Sequence, residues 1–289
     1  ILVIIIGALF IMQKVPMIQG LDLQGGSQLI LEAKDTKEKK ADNQAILGVL
    51  AVIRNRVDAL GVSEPIIRRK GKNQIIVELA GIKDPKRATK LIGETAMLKF
   101  AESEWAPGDP SKLNPKQLEV LAGKNAIIKS YKTTDPKGNT TSERFIIIKE
   151  NILTGDLLKS AFPGTDQYGR PLVNIEFDAE GSKRFYEITR KSIGKPIAIL
   201  LDDTVISAPN VNEAISGGKA QISGSFSIQE VRDLVIKLKA GSLPVPVEIV
   251  SNKVVGATLG QDSIEKSKTA ALIGLAGLII LLILLYQLS

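Results

Sequence analysis

Three groupings in the chain have residue types that could do chemistry. Asp202 and Asp203 stand side by side, a carboxylate pair of the kind used to hold a metal or to move protons. The stretch Leu21-Asp22-Leu23-Gln24-Gly25-Gly26 is glycine-rich and could let backbone N–H groups converge on an anion. Arg68, Arg69, Lys70 and Lys72 make a basic patch. Each has a simpler reading. Asp residues between two strands ordinarily make the turn. The glycine stretch lacks the Lys-Ser/Thr of a phosphate loop and does not lead from a strand into a helix. Its glycines are better read as letting the chain turn sharply, with Asp22 capping exposed N–H groups. Alternation puts Arg68 and Lys70 on one face of a strand and Arg69 on the other. This makes a solvated edge that resists strand addition, with lipid head groups as the alternative ligand.

The chain has no His and no Cys, which removes imidazole bases, thiol nucleophiles, Ser-His-Asp triads and Cys/His zinc sites together. No catalytic residue, metal site or cofactor is assigned, and an enzyme is not expected. With 38 basic against 31 acidic residues, the net charge of +7 suits anionic lipid, nucleic acid or acidic polypeptide. Only 4% of the residues are aromatic and none interleave the basic patch, so nucleic acid is disfavoured. A length of 289 residues with 44% hydrophobic content leaves room for two cores.

Both ends are apolar. Ile1 to Met12 is an unbroken run too short to span a bilayer, and residues 1–14 are read as the end of a first transmembrane helix rather than a signal peptide. Ala270 to Leu285 carries no charge and is read as a second span. Its helix is expected to start near Ser263, with Asp262 and Glu265 as a capping box and Lys266 and Lys268 at head-group level. Everything from Val15 to Gln261 then lies on one side of the membrane. The charge of the flanking loops does not say which side.

Between the ends, Ser27 to Ala33 reads as a strand. Asp42 or Asn43 caps a helix whose Ile46, Val49, Leu50, Ile53, Val57 and Leu60 fall at helical spacing before Gly61. Pro65–Arg69 and Gln74–Leu79 form a hairpin, Asp84-Pro85 opens a second helix, and Ala96, Leu98 and Phe100 alternate in a last strand. The order βαββαβ is ferredoxin-like. Residues 15–101 are taken as the membrane-proximal stretch and this base, and 102–150 as a connecting segment with a hairpin about Asp135–Asn139. Residues 151–245 form a second α+β subdomain, 246–262 a return strand and membrane approach, and 263–289 the second span. In the second subdomain Val173, Ile175 and Phe177 alternate as a strand, Ala179–Ser192 is a helix and Ile197–Leu201 a buried strand. Ser227 and Glu230 cap a closing helix that ends at Gly241.

Several stretches then stand out together: GLDLQGG at Gly20–Gly26, RNRVDALGVSEP at Arg54–Pro65, VELAGIKDP at Val77–Pro85 and LIGETAMLKF at Leu91–Phe100. They continue as LTGDLLKSA at Leu153–Ala161, IGKPIAILLDDTVISAP at Ile193–Pro209, AGSLPVP at Ala240–Pro246 and VVGATLGQDSI at Val254–Ile264. In this order, over nearly the whole chain, the series resembles the SecD family of the bacterial Sec protein-export machinery, within the RND superfamily. The resemblance implies an α+β extracytoplasmic domain with a ferredoxin-like base and a mobile head, flanked by two transmembrane helices. It implies a plasma-membrane protein that captures the emerging preprotein and assists its export with the proton-motive force, the proton site lying outside this chain. Its implied partners are SecF, the SecYEG translocon, the unfolded preprotein and the lipid bilayer. The family motif at the first membrane approach falls on Gly20, Leu21, Asp22, Leu23, Gly25 and Gly26, and that at the second on Gly256, Leu259 and Gly260. A receiver of unfolded chain needs apolar pockets or an open strand edge, for which Phe162, Phe226 and Leu243 are candidates. An extracytoplasmic sensor domain, or a related RND-type transporter, would share the gross layout.

Overall fold

The computed structural model describes residues 21–37, 39–112, 127–134, 140–255 and 257–287. The first apolar run, Gly20 and Gly256 lie outside them. The chain divides into two compact units and passes between them four times, after Glu32, Leu60, Thr89 and Glu248.

The first unit is a four-stranded sheet. A single-turn helix α1 (Leu21–Gln24) leads into β1 (Gly26–Ala33), which pairs antiparallel with β3 (Gln74–Ala80), itself paired with β2 (Ile66–Lys70). In β3 the side chains of Ile75, Val77 and Leu79 are fully buried, as their alternation requires. The fourth strand is β12 (Val247–Val255), beside β1 in the order β12-β1-β3-β2. Ser27 Oγ bonds Asn252 Oδ1 across this edge at 3.1 Å.

The strand expected to complete a βαββαβ set forms as β4 (Leu98–Trp105), but in the other unit, and β12 occupies the place beside β1. The reason lies in burial. Leu98 and Phe100 face one core while Ala101 and Ser103 are buried on the opposite face, which is the signature of a central strand rather than a half-exposed one.

The second unit holds two sheets. β4 lies between β6 (Thr140–Thr154) and β9 (Ile197–Leu201), with β5 (Ile127–Thr134) and β10 (Thr204–Ser207) at the edges. The stretch expected as a connecting segment thus supplies two strands of this sheet. The smaller sheet has β8 (Pro171–Phe177) between β7 (Leu158–Thr165) and β11 (Lys219–Ser223). Among the described residues the α-helical parts here are α2 (Asn43–Ala59), the second half of α3 (Pro85–Gly93), α4 (Ala179–Lys191) and α5 (Ile228–Ala240). Asp42 caps α2 through the Ala45 N–H at 2.8 Å, and Asp178 caps α4 through Gly181 N–H at 2.7 Å. α5 carries the full capping box: Ser227 Oγ accepts from Glu230 N–H and Glu230 accepts from Ser227 N–H. Ser227→Ala should therefore cost about 1 kcal/mol in a urea titration. Between the sheets and α4, Phe100, Phe177 and Phe185 pack with ring centroids 4.8 to 5.9 Å apart.

The last helix, α6, runs over Ala257–Gln287 and belongs to the first unit. It is already helical at Asp262, so a start at Ser263 with Asp262 as its cap is not what forms. Ala257 to Gln261 contain no proline, and each added residue contributes a backbone hydrogen bond. Among the described residues no helix is long and apolar enough to cross a membrane. The described side chains of α6 nonetheless leave Leu272, Ile273, Ile280 and Leu285 exposed.

Candidate functional site

In the second unit the helical pattern of α2 places Arg56 in phase with Ile46, Val49, Ile53 and Val57 on its buried face, and the side chain is 0% exposed. A buried guanidinium needs acceptors, and here they are backbone carbonyls. Nη1 donates to Leu91 O at 2.9 Å and to Glu94 O; Nη2 donates to Thr95 O at 3.2 Å and to Gly241 O at 3.1 Å. Desolvation lowers its pKa to about 10, opposed by the carboxylates of Asp202 and Glu94, and at neutral pH it stays charged. Nε is buried without a hydrogen-bond partner among the described residues.

The segment whose carbonyls Arg56 holds is gripped from its other side by Asp202. The Asp202-Asp203 pair makes the two-residue turn between β9 and β10, both residues left-handed at φ 47° and 65°. The carboxylate of Asp202 accepts from Ala96 N–H at 2.7 Å and Met97 N–H at 2.8 Å, while Asp203 pairs with Lys99 at 3.1 Å. Ala96 is itself left-handed, φ 57°, a conformation a side chain resists. Leu243 N–H donates to Thr95 O at 2.9 Å, and Lys237 pairs with Glu94. Beside these segments opens a cleft of about 200 Å³, with Met97, Leu98 and Leu238 among its apolar walls and Asp156 and Ser242 among its polar ones.

The residues singled out from the sequence fall in different settings. Gly25 and Gly26 have φ 70° and 142°, and a Cβ on Gly26 would lie 2.0 Å from the Leu79 carbonyl oxygen. The glycines thus let the backbone turn and approach β3, with Leu21 packed close by. Leu23 is exposed, and Asp22 contributes backbone to α1. Leu259 and Gly260 lie in the opening turn of α6. Phe162 is 47% exposed on β7, with Lys239 Nζ 5.1 Å from its ring centroid. Phe226 packs partly buried against the core, over Gly224. Leu243 is 1% exposed, so its side chain is core and is not presented to a ligand. The basic patch is exposed on the β2–β3 hairpin, where Arg69 Nε bonds Gly71 O at 2.9 Å and serves its own turn. Sequence reading missed Arg56 and the grip of Asp202. Arginine in step with an apolar helix face was the available signal for the first.

Comparison with known proteins gives a consistent assignment. Residues 46–104 match the model described as "Protein translocase subunit SecDF, P1 domain, N-terminal", and residues 129–245 match "SecDF, P1 head subdomain". The chain is 41% identical over 288 residues to protein translocase subunit SecD of Acidaminococcus fermentans, covering 99% of this chain and 58% of the relative. It is 43% identical over 285 residues to that of Calditerrivibrio nitroreducens, covering 96% of this chain and 54% of the relative. The chain thus spans little more than half the length of these curated relatives. Among solved structures, SecDF in its super-membrane-facing form superposes with a TM-score of 0.64 at 34% identity, covering 93% of this chain and 36% of that one. A structure titled as that of a membrane component SecDF that enhances protein export matches at TM-score 0.58 and 33% identity, covering 78% of this chain and 98% of that one. Likeness that extends through two successive P1 models and covers a solved SecDF chain almost end to end places this chain in the SecD family.

Proposed function

We propose that this chain is the membrane-anchored, extracytoplasmic receiving part of a protein-export subunit, binding unfolded preprotein as it emerges and helping to draw it outward. The observation that carries the reading is the pair of successive P1 likenesses at 46–104 and 129–245. On this reading the order β12-β1-β3-β2 is a ferredoxin-like base whose fourth position is filled from the far end of the domain, and the second unit contains the head. On the same reading the uncharged stretch Ala270 to Leu285, within α6, is the greater part of a second bilayer span, covering about 24 Å of the roughly 30 Å hydrocarbon thickness at about 1.5 Å per residue. SecF and SecYEG are the partners, the plasma membrane the location, and the proton-motive force the drive, with the proton site elsewhere on the parent protein. The chain supplies binding and movement rather than catalysis.

Physical chemistry supports the receiving role. Unfolded polypeptide offers apolar side chains and unpaired backbone. The exposed Phe162 and the apolar-walled cleft beside Met97 and Leu238 suit the first without reading sequence. The test is photocrosslinking from positions 162 and 226 of the full-length parent during export of a stalled preprotein. An adduct that forms only with translocating substrate is expected. Efficient labelling with no preprotein adduct would count against a receiving role.

A further inference from the structure

We propose that Arg56 and Asp202 form a two-sided clasp on the segment Glu94–Met97, and that this clasp sets how firmly the segment is tied to the connector Gly241–Leu243. The segment is held by full charges of opposite sign on its two edges. Arg56 takes the carbonyls of Glu94 and Thr95, and Asp202 takes the N–H groups of Ala96 and Met97. Neither grip is local: Asp202 and Ala96 are 106 residues apart, and Arg56 and Gly241 are 185 apart. The two grips also act through each other. Ala96 keeps its left-handed φ while Asp202 holds its N–H, and that conformation aims the Thr95 carbonyl at both Arg56 and the Leu243 N–H.

Arginine is suited to this place because its planar fork reaches several carbonyls at once, whereas an ammonium is a point donor. Nε has no partner among the described residues, so the whole grip is made through Nη1 and Nη2. Two connectors joined in this way part by releasing the Leu243 and Gly241 contacts, without unfolding either sheet. Any part played in export rests on the reading above; the clasp itself does not.

The test is hydrogen exchange on the full-length protein in lipid nanodiscs, comparing the native chain with Arg56→Lys, Asp202→Asn and the double variant. Each single change should speed exchange at Ala96, Met97 and Leu243 about tenfold, with Ile175 in the β7–β8–β11 ladder within about twofold. The double variant should exchange no more than about threefold faster than the faster single one, because two halves of one clasp do not add. Asp202→Asn alone keeps the proposal testable if Arg56→Lys does not fold. Asp202 makes no hydrogen bond to Leu243, so an unchanged Leu243 amide in that variant would sink the clasp. Acceleration that is uniform through Ile175, or single effects that multiply in the double variant, would equally overturn it.

Discussion

Gly26→Ala should lower the stability of the first unit by about 3 kcal/mol or more, whereas Gly71→Ala on the β2–β3 turn should cost about 1 kcal/mol. Both glycines have positive φ, 142° and 65°. The difference lies in what surrounds them. A Cβ at position 26 would overlap the Leu79 carbonyl oxygen at 2.0 Å, and this is backbone that cannot swing aside, while a Cβ at position 71 meets nothing within 4 Å. Amide exchange in β1 and β3 is the direct measurement. Equal losses at the two sites would show that positive φ alone accounts for Gly26. The stretch Leu21–Gly26 therefore has a structural job at Gly26, where a Cβ would overlap the backbone of β3.

Phe185→Ala should remove about 3–5 kcal/mol from the second unit, visible as a lowered urea midpoint with little change in the slope. Phe185 stands on α4 with 4% exposure, and its ring packs against both Phe100 of the larger sheet and Phe177 of the smaller one. Truncation opens a cavity where the two sheets meet the helix, and closing it would require both sheets to shift. Exchange in the β1–β3 ladder should not respond. A loss below about 1 kcal/mol would mean that the aromatic cluster relaxes freely around the gap.

Much of the local structure was legible because its signals are local. The Asp42 cap, the Asp84-Pro85 start, the Ser227–Glu230 box and the Asp202-Asp203 turn each act within a few residues, and all four form. Strand destinations were harder. The alternation of Ala96, Leu98 and Phe100 correctly gives a strand, yet nothing within it says that Leu98 pairs with Leu201 and Phe100 with Leu153. Pairing is decided by which distant surfaces complete each other, and β12 lies about 220 residues from the edge it covers. The same distance hid the clasp. Asp202 was read as turn chemistry, which it is, but its carboxylate also serves two N–H groups 105 and 106 residues away. Of the residues chosen for contact with unfolded chain, Phe162 keeps an exposed ring and Leu243 does not. Hydrophobicity alone does not distinguish a core residue from an offered one.

The pairing of β1 with β12 also fixes an order of events during synthesis. Ser27 and Asn252 are 225 residues apart, so at roughly 5–20 residues per second the outer edge of β1 waits roughly 10–45 s for its partner to leave the ribosome. Of its two neighbours in the sheet, β1 has only β3 available before β12 is made, and its other row of N–H and C=O groups stays open to any extended chain nearby. Both sheets of the second unit lie wholly within the residues made before β12 and can close first. The sheet of the first unit is begun before those of the second and completed after them.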